Sequence, residues 1–224
     1  MSNELSKRII TSIFLFIFAI FCILINKIIF IIALFVIVFI CVDEWIRINK
    51  KYYLKKRYEY FFVKALGLLY LLFFFIPSAW LLRGDSLESI IFFIIILFIC
   101  IFSDIGGYVF GKTIGGKKLI KISPNKTISG SVGSFIFSIL PLFLFYFQNY
   151  VNVNLDFSLK SILLCLTVSL SCQLGDLIIS YFKRLNNVKD TGTILPGHGG
   201  LLDRIDGIIF AIPMVYFLKT LQIF

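Results

Sequence analysis

The chain has one histidine in 224 residues, no internal repeat, no low-complexity linker and no polar stretch long enough to fold as a soluble module. That leaves no water-soluble domain with a core of its own. The spacing of a P-loop is absent, as is a strand flanking the glycine-rich part of the chain, and no Ser-His-Asp set is legible. Cysteines 22, 41, 100, 165 and 172 lie in or at the ends of apolar runs, without the spacing of metal ligands, and read as small core hydrophobes. Lys7 and Arg8 precede an apolar run as in a signal peptide. The run closes on Cys22, Ile23, Leu24, Ile25 and Asn26, with no small-residue cleavage site, so it reads as a retained first span.

What the chain does have is apolar side chains: 59% of its residues are hydrophobic and 27 are Phe, against ~45–50% apolar in ordinary soluble domains. A water-soluble protein is excluded. A membrane crossing needs about 17–25 apolar residues, which places helices at about 9–25, 28–42, 61–82, 90–110, 130–147, 159–182 and 205–222. The second is short and reads as half of a tight hairpin turning at Asn26 and Lys27. The expected fold is all-α: a polytopic transmembrane bundle of about seven to nine spans. It forms one integral membrane domain over 1–224, with N-terminal spans in 1–100 and catalytic spans and loops in 101–224.

Lys and Arg accumulate on the cytoplasmic side of membrane proteins. With the N-terminus inside, all of the 22 basic residues except Lys27, Arg83, Lys160 and Lys219 fall on that side. The net charge of +10 therefore points to anionic lipid headgroups rather than nucleic acid. The cluster Lys50, Lys51, Lys55, Lys56 and Arg57 reads as a topology and lipid-surface anchor.

Two polar segments are not explained by topology. Residues 103–133 interleave glycines with Lys112, Lys117, Lys118, Lys121 and Lys126. Glycine allows close backbone approach and lysine neutralises phosphate, the composition of a polyphosphate cradle; glycines also occur where membrane helices pack closely. Residues 175–206 carry Asp176 at the inner end of an apolar run, where an ionised carboxylate needs a partner. Asp203 and Asp206, three apart at the start of the last run, share a helix face. They suit either Mg2+ or the dipole of the helix they open. His198 lies in the loop Pro196-Gly197-His198-Gly199-Gly200, too flexible for a core, and is a candidate to touch phosphate or base. Lys183, Arg184 and Lys189 are either solvated helix-end charges or a phosphate clamp.

The stretch SYFKRLNNVKDTGTILPGHGGLLDRID, Ser180 to Asp206, resembles the signature of the phosphatidate cytidylyltransferases, or CDP-diacylglycerol synthases. The resemblance is carried by Ser180, Lys183, Arg184, Lys189, Asp190, Gly192, Pro196, His198, Gly199, Gly200, Asp203, Arg204 and Asp206. The earlier segment is similar to the family at Asp104, Tyr108, Gly111, Ser123, Pro124, Lys126, Thr127 and Gly130. The chain departs from the family at two places: Ile128 and Ser129 stand where members usually carry Trp-Glu, and Ile179 stands where they usually carry Glu, so two acidic positions are missing. The chain is also shorter than typical members, mainly in its N-terminal half.

The resemblance implies an enzyme that transfers CMP from CTP to phosphatidic acid, giving CDP-diacylglycerol and pyrophosphate in phospholipid biosynthesis. It implies catalytic roles for Lys183, Arg184, Lys189, Asp190, His198 and Arg204, and substrate contacts at Ser123, Lys126, Thr127, Gly197, Gly199 and Gly200. Mg2+ would be held by Asp176, Asp203 and Asp206, with Asp104 as a further candidate. A phosphate monoester is already a nucleophile near neutral pH, so the site needs positioning and charge neutralisation rather than a triad. The partners expected are CTP, phosphatidic acid and membrane lipids, with a homodimer as the assembly considered and no nucleic acid. The expected location is a bacterial inner membrane, active site on the cytoplasmic face. Three other readings are a CTP-dependent lipid kinase of the dolichol or phytol kinase kind, a cation channel or transporter, and a catalytically dead scaffold. Product identity separates the first, and acids clustered at span ends rather than mid-membrane argue against the second.

Overall fold

The computed structural model describes residues 3–52, 57–120, 123–146, 158–195, 197 and 199–223. Nearly all regular structure in them is helical, and the chain divides into two compact units, Met1–Trp80 with Phe182–Ile205, and Leu81–Tyr181 with Asp206–Phe224.

In the first unit, α1 (Asn3–Ile25) and α2 (Lys27–Tyr52) form the expected hairpin. Asn26 makes the reversal: its side-chain oxygen accepts the Ile29 N–H at 2.8 Å, a helix cap that asparagine supplies well. Helix α2 continues to Tyr52, beyond the expected end at 42. The hydropathy ruler stops where charge begins, but the helix continues because its charged stretch is amphipathic. Asp43 and Arg47 pair at 2.9 Å on one face, while Glu44, Trp45, Ile48 and Asn49 are buried on the other. Trp45 donates its indole N–H to the Val63 carbonyl at 3.1 Å. It lies so close to Gly67 that a Cβ there would overlap the indole. Helix α3 (Arg57–Tyr70) passes through a π-helical turn, Leu71–Phe75, into α4 (Ile76–Arg83). The Ile76 N–H bonds the Leu71 carbonyl, and this wider turn accommodates Pro77, which has no N–H to give.

In the second unit, α5 (Leu87–Thr113) starts from Ser86, whose hydroxyl accepts the Ser89 N–H at 3.1 Å. Two short antiparallel strands follow, β1 (Lys118–Ile120) and β2 (Ser123–Thr127), with Lys118 opposite Thr127 and Ile120 opposite Ser123. This hairpin is a small addition to the expected helical architecture, and it corrects the expected absence of a strand beside the glycine-rich segment. Strands of three and five residues pair through their backbones, too short for a period-two pattern to announce them. Helices α6 (Ile128–Ser138), α7 (Leu140–Tyr146), α8 (Leu159–Leu185) and α9 (Leu202–Thr220) complete the chain.

Helices α5 and α6 touch backbone to backbone. A Cβ on Gly106 would meet the Gly133 carbonyl and Phe137, and one on Gly133 would meet Phe110 and the Gly106 carbonyl, the small-residue packing of membrane helices. Phe110 and Phe137 close the contact edge to face, 5.8 Å between centroids. Among the described residues, four helical stretches are long and apolar enough to cross a membrane: Lys27–Asn49, Phe61–Arg83, Leu87–Thr113 and Leu159–Leu185; Ile10–Ile25 and Ile128–Phe143 are shorter apolar helices.

Candidate active site

The first unit holds the signature loop between the end of α8 and the start of α9. Lys183, on the last turn of α8, pairs with Asp203, on the first turn of α9, at 2.7 Å; their side chains are only 13% and 6% exposed. The other Asp203 oxygen accepts the backbone N–H groups of Thr191 at 2.7 Å and Gly200 at 3.2 Å. Asp203 therefore ties together a lysine and both ends of the loop. Leu195 and Gly199 exchange a pair of backbone bonds, 2.9 and 3.2 Å, that close the loop's tip. Gly197 and Gly199 adopt φ of 76° and 87° there, a left-handed backbone that glycine takes without strain. Arg184, Lys189, Asp190 and Arg204 are exposed around this core. His198 and Pro196 lie outside the described residues.

This loop rests on a residue outside both polar segments of the sequence. Glu44 of α2 is 1% exposed. One of its oxygens accepts the Thr191 hydroxyl and the Leu202 N–H, both at 2.9 Å, and the other accepts the Leu201 N–H at 3.0 Å. A Cβ at Gly192 or Gly200 would overlap this carboxylate, so glycine is required at both positions. The available signal was an acid directly after an apolar run, and it is indistinguishable from interfacial charge until the partners are seen.

The second unit holds the other lysine–aspartate pair. Lys126, on β2, meets Asp176, on α8, at 2.5 Å, with side chains 25% and 35% exposed. Ser180 donates its hydroxyl to the second Asp176 oxygen at 3.2 Å. A polar chain runs beside it: Ser131 donates to Gln173 at 2.5 Å, Gln173 to Ser169 at 3.3 Å, and Ser169 shares a 2.7 Å bond with Ser103 of α5. The Thr127 hydroxyl caps α6 through the Gly130 N–H at 3.0 Å. Ser129, one of the two departures from the family pattern, hydrogen-bonds the Gly115 carbonyl; Ile179, the other, is buried in α8. Asp104 is exposed on α5, and Asp206 accepts the Gly207 N–H at 2.9 Å. Ser123 opens β2, partly buried.

The structure separates the two explanations of the glycines. Gly106, Gly107, Gly130 and Gly133 pack helix against helix, whereas Gly115 and Gly116, at φ of 64° and 104°, have open space where a side chain would stand. Only the latter two, with exposed Lys117 and Lys118 beside them, keep the character of a cradle. Among the described residues no three His, Cys, Asp or Glu side chains gather into one ligand group. The carboxylates at 104, 176, 203 and 206 are nonetheless oxygen donors of the type that suits a hard cation such as Mg2+.

Residues 53–222 match the model of the cytidylyltransferase family. The chain is 43% identical over 137 residues to a phosphatidate cytidylyltransferase of Staphylococcus haemolyticus (strain JCSC1435), covering 59% of this chain and 49% of that protein. It is 44% identical over 135 residues to that of Staphylococcus aureus (strain COL), with the same coverage. It is 42% identical over 141 residues to that of Rickettsia bellii (strain RML369-C), covering 58% of this chain and 59% of that protein. The chain spans about half the length of the staphylococcal relatives it matches. With both lysine–aspartate pairs inside the matched residues, the chain belongs to the cytidylyltransferase family.

Proposed function

We propose that the protein transfers CMP from CTP to phosphatidic acid, releasing pyrophosphate and forming CDP-diacylglycerol. The observation that carries this reading is the Lys183–Asp203 clamp on a glycine loop, inside a family match that covers residues 53–222. The curated relatives are named for this activity.

In this reading a phosphate oxygen of phosphatidic acid attacks the α-phosphorus of CTP, the bond to the bridging oxygen breaks, and pyrophosphate departs. The chain's own groups supply position and charge. Lys126 and Lys183 hold ammonium groups ready on carboxylates, and the exposed Arg184, Lys189 and Arg204 reach phosphate oxygens from the surface. His198, Gly197, Gly199 and Gly200 form the nucleotide loop, and Ser123 and Thr127 flank Lys126. Asp190 lies beside Gly199, where a Cβ would touch it. Mg2+ would be held by carboxylates from the set Asp104, Asp176, Asp203 and Asp206, neutralising charge that develops on the polyphosphate.

The finer topology also belongs to this proposal: seven to nine spans, the N-terminus and active site on the cytoplasmic face of a bacterial inner membrane, lipid entering laterally, and a homodimer as the assembly. The four long apolar helices and the bacterial relatives support a membrane location.

The test is conversion of labelled CTP by the purified protein with phosphatidic acid, with and without Mg2+, beside Asp203→Asn. CDP-diacylglycerol and pyrophosphate, dependent on Mg2+ and lost in the variant, are the expected products. Phospholipid with CDP would make the chain a lipid kinase instead, and no turnover in bilayers or detergent would remove the activity from it.

A further inference from the structure

Glu44 lies outside the residues matched to the family and more than a hundred positions before the loop it holds; its hydrogen bonds span separations of 147, 157 and 158 residues. Burying a carboxylate costs free energy unless its oxygens are hydrogen-bonded, and here they accept three bonds. Two of these come from the Leu201 and Leu202 N–H groups at the start of α9. A helix leaves its first amides without partners, and a leucine just before it cannot cap them. Glu44 caps α9 from another helix. Its third bond takes the Thr191 hydroxyl at the opposite end of the loop. The Thr191 N–H, in turn, donates to Asp203 at 2.7 Å.

We propose that Glu44 is a positioning residue for the nucleotidyl-transfer site: by clamping Thr191 and the first amides of α9, it sets the Asp203 carboxylate and the loop 191–200 in their working geometry. It acts through Asp203 and the loop backbone and does not touch substrate. A carboxylate suits the place because it accepts at both oxygens; glutamine would turn an amide donor towards one of the three donors. The inference rests on the CTP and phosphatidic acid reading for its kinetic consequence, and on geometry alone for its structural one.

The experiment compares the wild type, Glu44→Gln, Thr191→Val and Thr191→Ser in lipid nanodiscs, with CTP, phosphatidic acid and Mg2+. A loop displaced by about an ångström lowers kcat roughly a hundredfold in Glu44→Gln, with KM for CTP little changed. Loss of the single hydroxyl bond lowers kcat about tenfold in Thr191→Val, and Thr191→Ser, which keeps the hydroxyl, restores it. Hydrogen exchange is followed in parallel: in Glu44→Gln it quickens in residues 190–202 while α5 and α6 keep their protection. A folded Glu44→Gln protein with wild-type kcat overturns the proposal, as does exchange that quickens everywhere or nowhere. If Glu44→Gln does not fold, the Thr191 pair decides, and equal kcat in Thr191→Val and Thr191→Ser overturns it. If the wild type makes no CDP-diacylglycerol, the substrate reading fails, and the exchange pattern alone decides whether Glu44 positions the loop.

Discussion

The Lys183–Asp203 and Lys126–Asp176 pairs have the same chemistry and similar separations, 2.7 and 2.5 Å, but different surroundings. The first is almost closed to solvent, with side chains 13% and 6% exposed, and Asp203 also holds two backbone amides. The second is 25% and 35% exposed, and among the described residues Asp176 has the Ser180 hydroxyl besides its lysine. The first pair is built into the backbone of its loop, and removing either member leaves a charge stranded. The second joins side chains on a strand and a helix, and either partner can turn to a ligand at little cost to the fold. One charge pattern thus serves as an internal strut and as an open contact, and desolvation decides which.

The largest expected effect tests the strut. Asp203→Ala strands the Lys183 ammonium and frees two amides, which should lower stability by about 3–5 kcal/mol, read as a fall in the melting temperature of the detergent-solubilised protein. An Asp203→Ala melting curve matching that of Asp176→Ala would break the comparison. Next comes helix packing: Gly133→Ala forces α5 and α6 apart and should cost about 1–3 kcal/mol. Gly116→Ala has open space around it and should cost only about 1–2 kcal/mol, for the left-handed backbone. Thermal melts of the two sharpen the division between packing glycines and cradle glycines. The smallest stability effect belongs to the open pair: Asp176→Asn should change stability by under about 1 kcal/mol while abolishing CDP-diacylglycerol formation. Loss of stability with activity retained would make Asp176 the strut instead.

Much of the helical order was legible because apolar runs and basic flanks are local properties. Each expected helix has a counterpart, and the turn at Asn26 falls where the polar pair interrupts the run. Legibility ended where an element was too short or too charged for its period to show. The hairpin of β1 and β2 is held by backbone bonds, and the end of α2 is helical because Asp43 and Arg47 pair on one face while Glu44, Trp45, Ile48 and Asn49 are buried on the other. Of the site, the signature at 180–206 offered candidate acids and bases, but not which acid would meet which base.

The sequence by itself determined that this is a helical, membrane-type chain of the cytidylyltransferase pattern, since hydropathy and motif spacing are read along the chain. Only the tertiary structure decided that Asp203 is a strut and Asp176 an open contact, that four glycines pack helices while two stay free, and that Glu44 anchors a loop far along the chain. Those outcomes depend on distance and desolvation between residues remote in sequence, and neither quantity is written in the order of the residues.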